Sequence, residues 1–380
     1  MSIEKLPDPE LVKKPDQLQK LANTLCQEPI IAVDTESNSL YAYQEQVCLI
    51  QFSTPEKDYL VDPLALEDLT PLAPIFADPK IEKVFHAAEY DVICLKRDFD
   101  FEFENLFDTM LAARILGWEA VGLGSILEKE FDVHLEKRYQ RANWGQRPLP
   151  SHLLSYARLD THYLIPLQNL LRKELQRKKR WELAREDFDR LSEITVPNGR
   201  QLDDKSLLCW RISGSYDLEP QQAAVLLELC KYREQAAQSL DRPVFKVIND
   251  RTLLEIAQEL PDNPYELGKI KGMSRGQVQR HGQAILDAVR RGLKARPAYP
   301  PRSPRPDEDF LDRVDALKRW RKQTAQDLGV KSDVVLPRDL LYTLAESNPN
   351  RREELGQVLD EVPWRFERFG EQILRVLKRK

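Results

Sequence analysis

The sequence predicts an α/β domain, a mixed sheet flanked by helices, followed by two all-α helical units. Three observations predict it. Short β-branched runs crowd the first 110 residues, strand signals nearly vanish after residue 200, and a basic, proline-rich stretch divides the helical part in two. The chain has 380 residues, 42% hydrophobic and 31% charged. That composition fits an ordinary globular protein of two or three domains, at about 100–200 residues per domain.

Each element has its own signal. Ile30–Val33, Val47–Phe52 and Tyr59–Val61 are short apolar runs bounded by polar residues and proline, and they read as strands. Val84-Phe85 marks a fourth. From Asp91 to about Arg190 the spacing becomes helical. Asp108-Thr109 caps a run that stops at Gly117, Gly122–Phe131 is a second helix, and Ser151 opens a long one with a kink expected at Pro166. Residues 205–292 form an Ala-, Leu- and Gln-rich helical unit. Residues 293–306 carry prolines and arginines without an acid, the composition of a stiff extended linker. Residues 307–380 are helical again, with Trp320, Leu340, Leu341, Phe366 and Leu374 as expected core, in a layout that suggests a diverged duplication.

Several classes are excluded. No apolar stretch approaches the ~18 residues of a membrane span, so no membrane association is expected. The N-terminus MSIEKLPDPELVKKPD lacks the apolar core of a signal peptide. Five scattered cysteines without a Cys-x-x-Cys pair argue against a disulfide framework or a zinc ribbon, and point to a reducing, cytoplasmic location. There is no Walker sequence, and Gly122-x-Gly124 follows no clear strand, so no nucleotide cofactor is expected. Net charge is −5 overall, split as −9 in residues 1–200 and +4 in residues 201–380. A basic C-terminal half suits contact with a polyanion and predicts substrate capture there.

The chemistry sits in carboxylates. Asp34 and Glu36 end the apolar run in VDTES, and residues i and i+2 of a strand share a face. Asp91 closes FHAAEYD, where a strand feeds a helix starting near Glu89. In SYARLD, Tyr156 and Asp160 are four apart and share a helical face. A pair of acids alone reads equally well as a capping acid beside a solvated one. Together the four carboxylates and one phenol are the parts for two divalent cations, Mg²⁺ or Mn²⁺, and in-line displacement at phosphorus. Tyr156 is expected to stay protonated and orient the attacking water.

These motifs resemble, in order, those of the ribonuclease D family, 3′-to-5′ exonucleases of the DEDD superfamily. Tyr four residues before the last Asp matches its tyrosine subclass. The intervening DTMLAARILG and LEKRYQRANWGQRPLP also look like ribonuclease D segments. The resemblance covers about residues 28–190 and implies a ribonuclease H-like exonuclease domain over 1–200. It implies Asp34, Glu36, Asp91 and Asp160 as metal ligands and Tyr156 as a catalytic residue. His86, Lys137, Arg141 and Trp144 are the candidate RNA contacts of this domain. Residues 207–290 resemble an HRDC domain, a nucleic-acid-binding module. Its turn KGMSRGQ carries Gly272 and Gly276, with Ser274 and Gln277 spaced as a capping box. Lys269, Lys271, Arg275 and Arg280 add charge near exposed amides that suit a phosphate. Residues 307–380 look like a second, diverged HRDC-like unit.

The resemblance implies a metal-dependent exoribonuclease whose partners are transfer-RNA precursors or other structured RNA 3′ ends. A 3′-to-5′ DNA exonuclease and a non-catalytic RNA-binding scaffold remain open. No residue visibly reads the 2′-hydroxyl that separates RNA from DNA, and retention of all four carboxylates argues against the scaffold.

Overall fold

A computed structural model gives the fold and describes residues 6–196, 209–301 and 307–378. These form two compact units. The first contains residues 6–37, 47–195 and 307–378, and the second contains 38–46, 196 and 209–301.

The first unit is built on a six-stranded mixed sheet of order β1-β4-β3-β2-β5-β6. Its strands are β1 (Glu10–Val12), β2 (Ile30–Ser37), β3 (Val47–Ser53), β4 (Asp58–Val61), β5 (Glu82–Phe85) and β6 (Leu106–Asp108). The β2-β3-β4 meander is antiparallel, whereas β5 joins β2, and β6 joins β5, in parallel. All four expected strands are present. The three-residue β1 and β6 were not foreseen, because so short a segment carries no readable period. Strand β2 runs beyond its apolar part to Ser37, which places Asp34 and Glu36 inside the strand rather than after it.

Helices complete the layer. Asp108 caps Thr109–Leu116, its Oδ1 accepting the Leu111 N–H at 2.9 Å. Gly117 closes that helix at φ 81°, and a Cβ there would stand 2.2 Å from the Gly329 carbonyl oxygen, so only glycine fits. The long helix expected from Ser151 is instead three: Ser151–Ala157, Leu159–His162 and Leu164–Arg177. The breaks fall at Arg158 and Tyr163, not at Pro166. Pro166 is the third residue of its helix, where its missing N–H costs no helical bond.

Residues 307–378 contribute helices Glu308–Leu328, Ser332–Val335, Arg338–Ser347, Arg352–Val358 and Pro363–Leu377 around their own core. Leu340, Leu341 and Leu374 are buried in it, with Trp320 and Phe366 partly so. This bundle is also joined to the sheet-bearing part. Val334 is buried with Ile115, Leu116 and Phe188. Fully buried Arg365 reaches Glu186 and Asp187 at 3.0 Å each, and Glu186 also accepts the Trp364 and Arg365 backbone N–H groups.

The second unit repeats the same helix order in Pro220–Ser239, Val244–Val247, Asp250–Glu259, Pro264–Leu267 and Arg275–Lys294. The last helix runs two residues into the expected linker, and the Ala298 N–H then bonds back to Pro220 O at 2.9 Å. The linker residues 302–306 lie outside the described residues. Cys48 and Cys94 are buried in the core as expected. Cys209 and Cys230 form a disulfide, contrary to the cysteine spacing argument. Their separation of 21 residues hid it, and the fold brings their Cα atoms to 6.2 Å, within bridging range. Among the described residues, no helix is long and apolar enough to cross a membrane.

Candidate active site

Strand β2 supplies the first two carboxylates on one face, and Thr35 between them points to the other. Helix Glu89–Phe99, entered through a turn with Ala87 at φ 65°, brings Asp91 to that other side. There Asp91 Oδ1 accepts the Thr35 N–H at 3.1 Å and the Thr35 hydroxyl at 2.5 Å. Helices Ser151–Ala157 and Leu159–His162 bring Tyr156 and Asp160 over the first face, hydrogen-bonded to each other. One ligand oxygen from each of Asp34, Glu36 and Asp160 lies within 4.8 Å of the others.

This cluster is electrostatically incomplete. Burial, then repulsion from neighbouring carboxylates, pushes Asp34 and Glu36 well above the usual carboxylate range. Burial also raises Asp91 and Asp160, against the hydrogen bonds from Thr35 and Tyr156 that lower them. Burial and the adjacent acids hold the Tyr156 phenol protonated. The cleft has a volume of about 440 Å³, and none of the described residues lining it is Lys or Arg. Half-buried and buried carboxylates without a countercharge fit hard cations, which take oxygen ligands and would supply the missing positive charge.

The loop between Phe131 and Ser151 shapes the wall behind Tyr156. The rings of Tyr139 and Trp144 lie 5.5 and 6.3 Å from that of Tyr156. Arg147 fixes the loop. Its guanidinium binds both carboxylate oxygens of Asp62, at 2.8 and 2.7 Å, and the carbonyls of Cys48, Trp144 and Gln146.

A model of a 3′-5′ exonuclease domain matches residues 9–176, and one of an HRDC domain matches both 222–289 and 310–377. A ribonuclease D of Gluconacetobacter diazotrophicus is 31% identical over 286 residues, 74% of this chain and 72% of that protein. The chain belongs to the ribonuclease D family. The crystal structure of Escherichia coli RNase D, described as an exoribonuclease involved in structured RNA processing, superposes with a TM-score of 0.67 at 25% identity. It covers 98% of this chain and 99% of that one. Protein RRP6-like 2 of Arabidopsis thaliana is 33% identical over 76% of this chain, which spans only 34% of that longer relative. Divalent cations are the cofactors of exonucleases with this fold, in accord with the acidic cluster.

Of the five residues read as catalytic, Asp34, Glu36, Tyr156 and Asp160 line one cleft, while Asp91 does not line it and is held beside it by Thr35. Other candidates separate. His86 lines the cleft. Arg141 is exposed at the end of a short turn, Lys137–Arg141, and the Lys137 side chain lies outside the described residues. Trp144 is corrected: it is 1% exposed, so it backs Tyr156 and has no surface to offer a nucleic acid. In the second unit, Lys269, Lys271, Arg275 and Arg280 are all exposed around the turn at Gly272. Ser274 Oγ accepts the Gln277 N–H at 3.3 Å, but the Gln277 side chain bonds Val247 O, so only half the capping box forms. Motif reading missed Gln140 and the helix start Gly122–Ser125, which line the cleft. The Gly-x-Gly spacing was the available signal.

Proposed function

We propose that this protein hydrolyses RNA from the 3′ end, releasing nucleoside 5′-monophosphates, and that trimming transfer-RNA precursors is its task. The observation that carries this reading is the meeting of three carboxylates within 4.8 Å in the cleft, in a chain of the ribonuclease D family. Asp34, Glu36, Asp91 and Asp160 would hold two divalent cations, Mg²⁺ or Mn²⁺, because the donor set is all oxygen. When bound, such a pair supplies Lewis-acid stabilisation of charge at the scissile phosphate.

The residues of the chain do the rest. Tyr156 stays protonated, donates to Asp160, and keeps its oxygen lone pairs for the attacking water, which it aligns with phosphorus. As the water oxygen bonds to phosphorus, the P–O3′ bond breaks, leaving a new 3′-hydroxyl on the shortened chain. The exposed Lys269, Lys271, Arg275 and Arg280 would grip phosphates elsewhere on the substrate. Each engaged phosphate then steepens the fall of log affinity with log salt by about 0.7–0.9.

The test is side-by-side digestion of 5′-labelled RNA and DNA oligonucleotides with free or phosphorylated 3′ ends. Stepwise shortening confined to RNA with a free 3′ end supports the reading. Equal degradation of DNA moves the protein to the alternative class, and binding without degradation makes it a scaffold.

A further inference from the structure

His86 lines the cleft with Asp34, Glu36 and Asp160, and the hydrolytic step gives it no role. It follows β5, and its Nδ1 lies 2.8 Å from Thr109 Oγ1. Thr109 Oγ1 in turn donates to the Phe85 carbonyl at 2.9 Å. A hydroxyl has one proton, so towards His86 the threonine can only accept, and the imidazole proton sits on Nδ1. Burial pushes the ring down to about 4, and no carboxylate counts among the causes of its shift, so at neutral pH it carries that proton alone. Nε2 is therefore a neutral lone pair, and it has no hydrogen-bond partner among the described residues.

The polarity of that lone pair selects its ligand. Phosphate oxygens are acceptors and cannot satisfy Nε2. A ribose hydroxyl is a donor and can. Resting on the exoribonuclease reading, we propose that His86 Nε2 accepts a hydrogen bond from the 2′-hydroxyl of the 3′-terminal nucleotide, making His86 the residue that reads ribose over deoxyribose. Thr109 is the positioning residue that fixes the required tautomer. A flat, uncharged ring serves this purpose better than a carboxylate, which would recruit a cation instead. The 2′-hydroxyl is the feature that separates RNA from DNA at a single site.

The experiment compares three RNA oligonucleotides that differ only at the last sugar: ribose, 2′-deoxyribose and 3′-deoxyribose. Values of kcat/KM are measured for the wild type, His86→Phe and Thr109→Val. One neutral hydrogen bond corresponds to roughly two- to tenfold. The wild type should prefer terminal ribose to 2′-deoxyribose by about that factor. His86→Phe should cut the ribose rate more than the 2′-deoxy rate and bring the ratio near one. Thr109→Val should lower the ratio in the same direction with the ring still present. An equal loss on all three sugars assigns His86 a packing role and overturns the proposal, as does an unchanged ratio. Loss of discrimination against 3′-deoxyribose alone overturns the assignment to the 2′-hydroxyl. Wild-type activity on none of the three would sink the exoribonuclease reading itself, a separate outcome. A long-range ¹H–¹⁵N spectrum of the wild-type histidines provides a check without mutation. It should show His86 protonated at Nδ1, and a proton on Nε2 contradicts the proposal.

Discussion

Thr35 holds Asp91 twice through the same oxygen, by its backbone N–H at 3.1 Å and by its hydroxyl at 2.5 Å. One residue of β2 thereby fixes the third carboxylate against the strand that carries the first two. Thr35→Val keeps the shape and the N–H but removes the hydroxyl. Loss of a supporting hydrogen bond to a metal ligand typically costs about 10–100-fold. Thr35→Val should therefore need more Mg²⁺ for half-maximal activity, and Thr35→Ser should restore most of it. Mg²⁺ titrations of the three proteins check this.

Arg147 and Asp62 make the second relationship with a measurable consequence. Asp62 is 1% exposed, and each of its carboxylate oxygens accepts a hydrogen bond from the guanidinium, Oδ1 also accepting the Leu64 N–H at 3.1 Å. A lysine cannot make that bidentate pair or reach three carbonyls at once. Arg147→Lys should lower unfolding stability by about 1–3 kcal/mol. It should also reduce kcat, because the loop carrying Tyr139 and Trp144 backs Tyr156. Denaturant unfolding and steady-state kinetics measure the two effects separately.

The bundle of residues 307–378 is joined to the sheet-bearing part through buried Arg365 with Glu186 and Asp187. Removing one partner of a buried pair typically costs about 3–5 kcal/mol. Arg365→Met should lower the denaturation midpoint markedly, while Arg365→Met with Glu186→Leu should recover part of the loss. A chain ending at residue 306 should likewise be less stable, since it uncovers Ile115, Leu116 and Phe188. Equal midpoints for truncated and full-length protein would contradict this role.

Raised carboxylates make cation binding depend on pH. Burial and mutual repulsion keep protons on this cluster to higher pH than on ordinary acids. A proton and a cation compete for the same oxygens, so cation affinity should rise as pH increases through about 7 to about 8, where Asp91 and Asp160 lose their protons. Calorimetric titration with Mn²⁺ at several pH values tests the sign. Affinity that is flat or falls with pH would contradict it.

Much of this was legible in the sequence because the informative residues are local. Asp34 and Glu36 share a strand, Tyr156 and Asp160 lie four apart, and both caps around Thr109–Leu116 stand next to the helix they bound. What stayed hidden depends on contacts between distant residues. Trp144 looked like a substrate contact because an aromatic residue in a basic segment does not reveal its burial. The Arg365–Glu186 pair spans 179 positions, and no charge count distinguishes it from a solvated pair. The tautomer of His86 depends on Thr109, 23 residues away, and on where the threonine sends its one proton.

The most direct test of the central claim follows a 5′-labelled RNA with a free 3′-hydroxyl, incubated with wild type, Asp34→Asn and Tyr156→Phe in Mg²⁺, before and after EDTA. The wild type should shorten it stepwise from the 3′ end and stop on chelation. Asp34→Asn should bind the RNA but release no nucleotide, and Tyr156→Phe should retain a residual rate, roughly 10²-fold lower or better. Undiminished shortening after EDTA, or by Asp34→Asn, would contradict a hydrolysis that depends on cations held by these carboxylates.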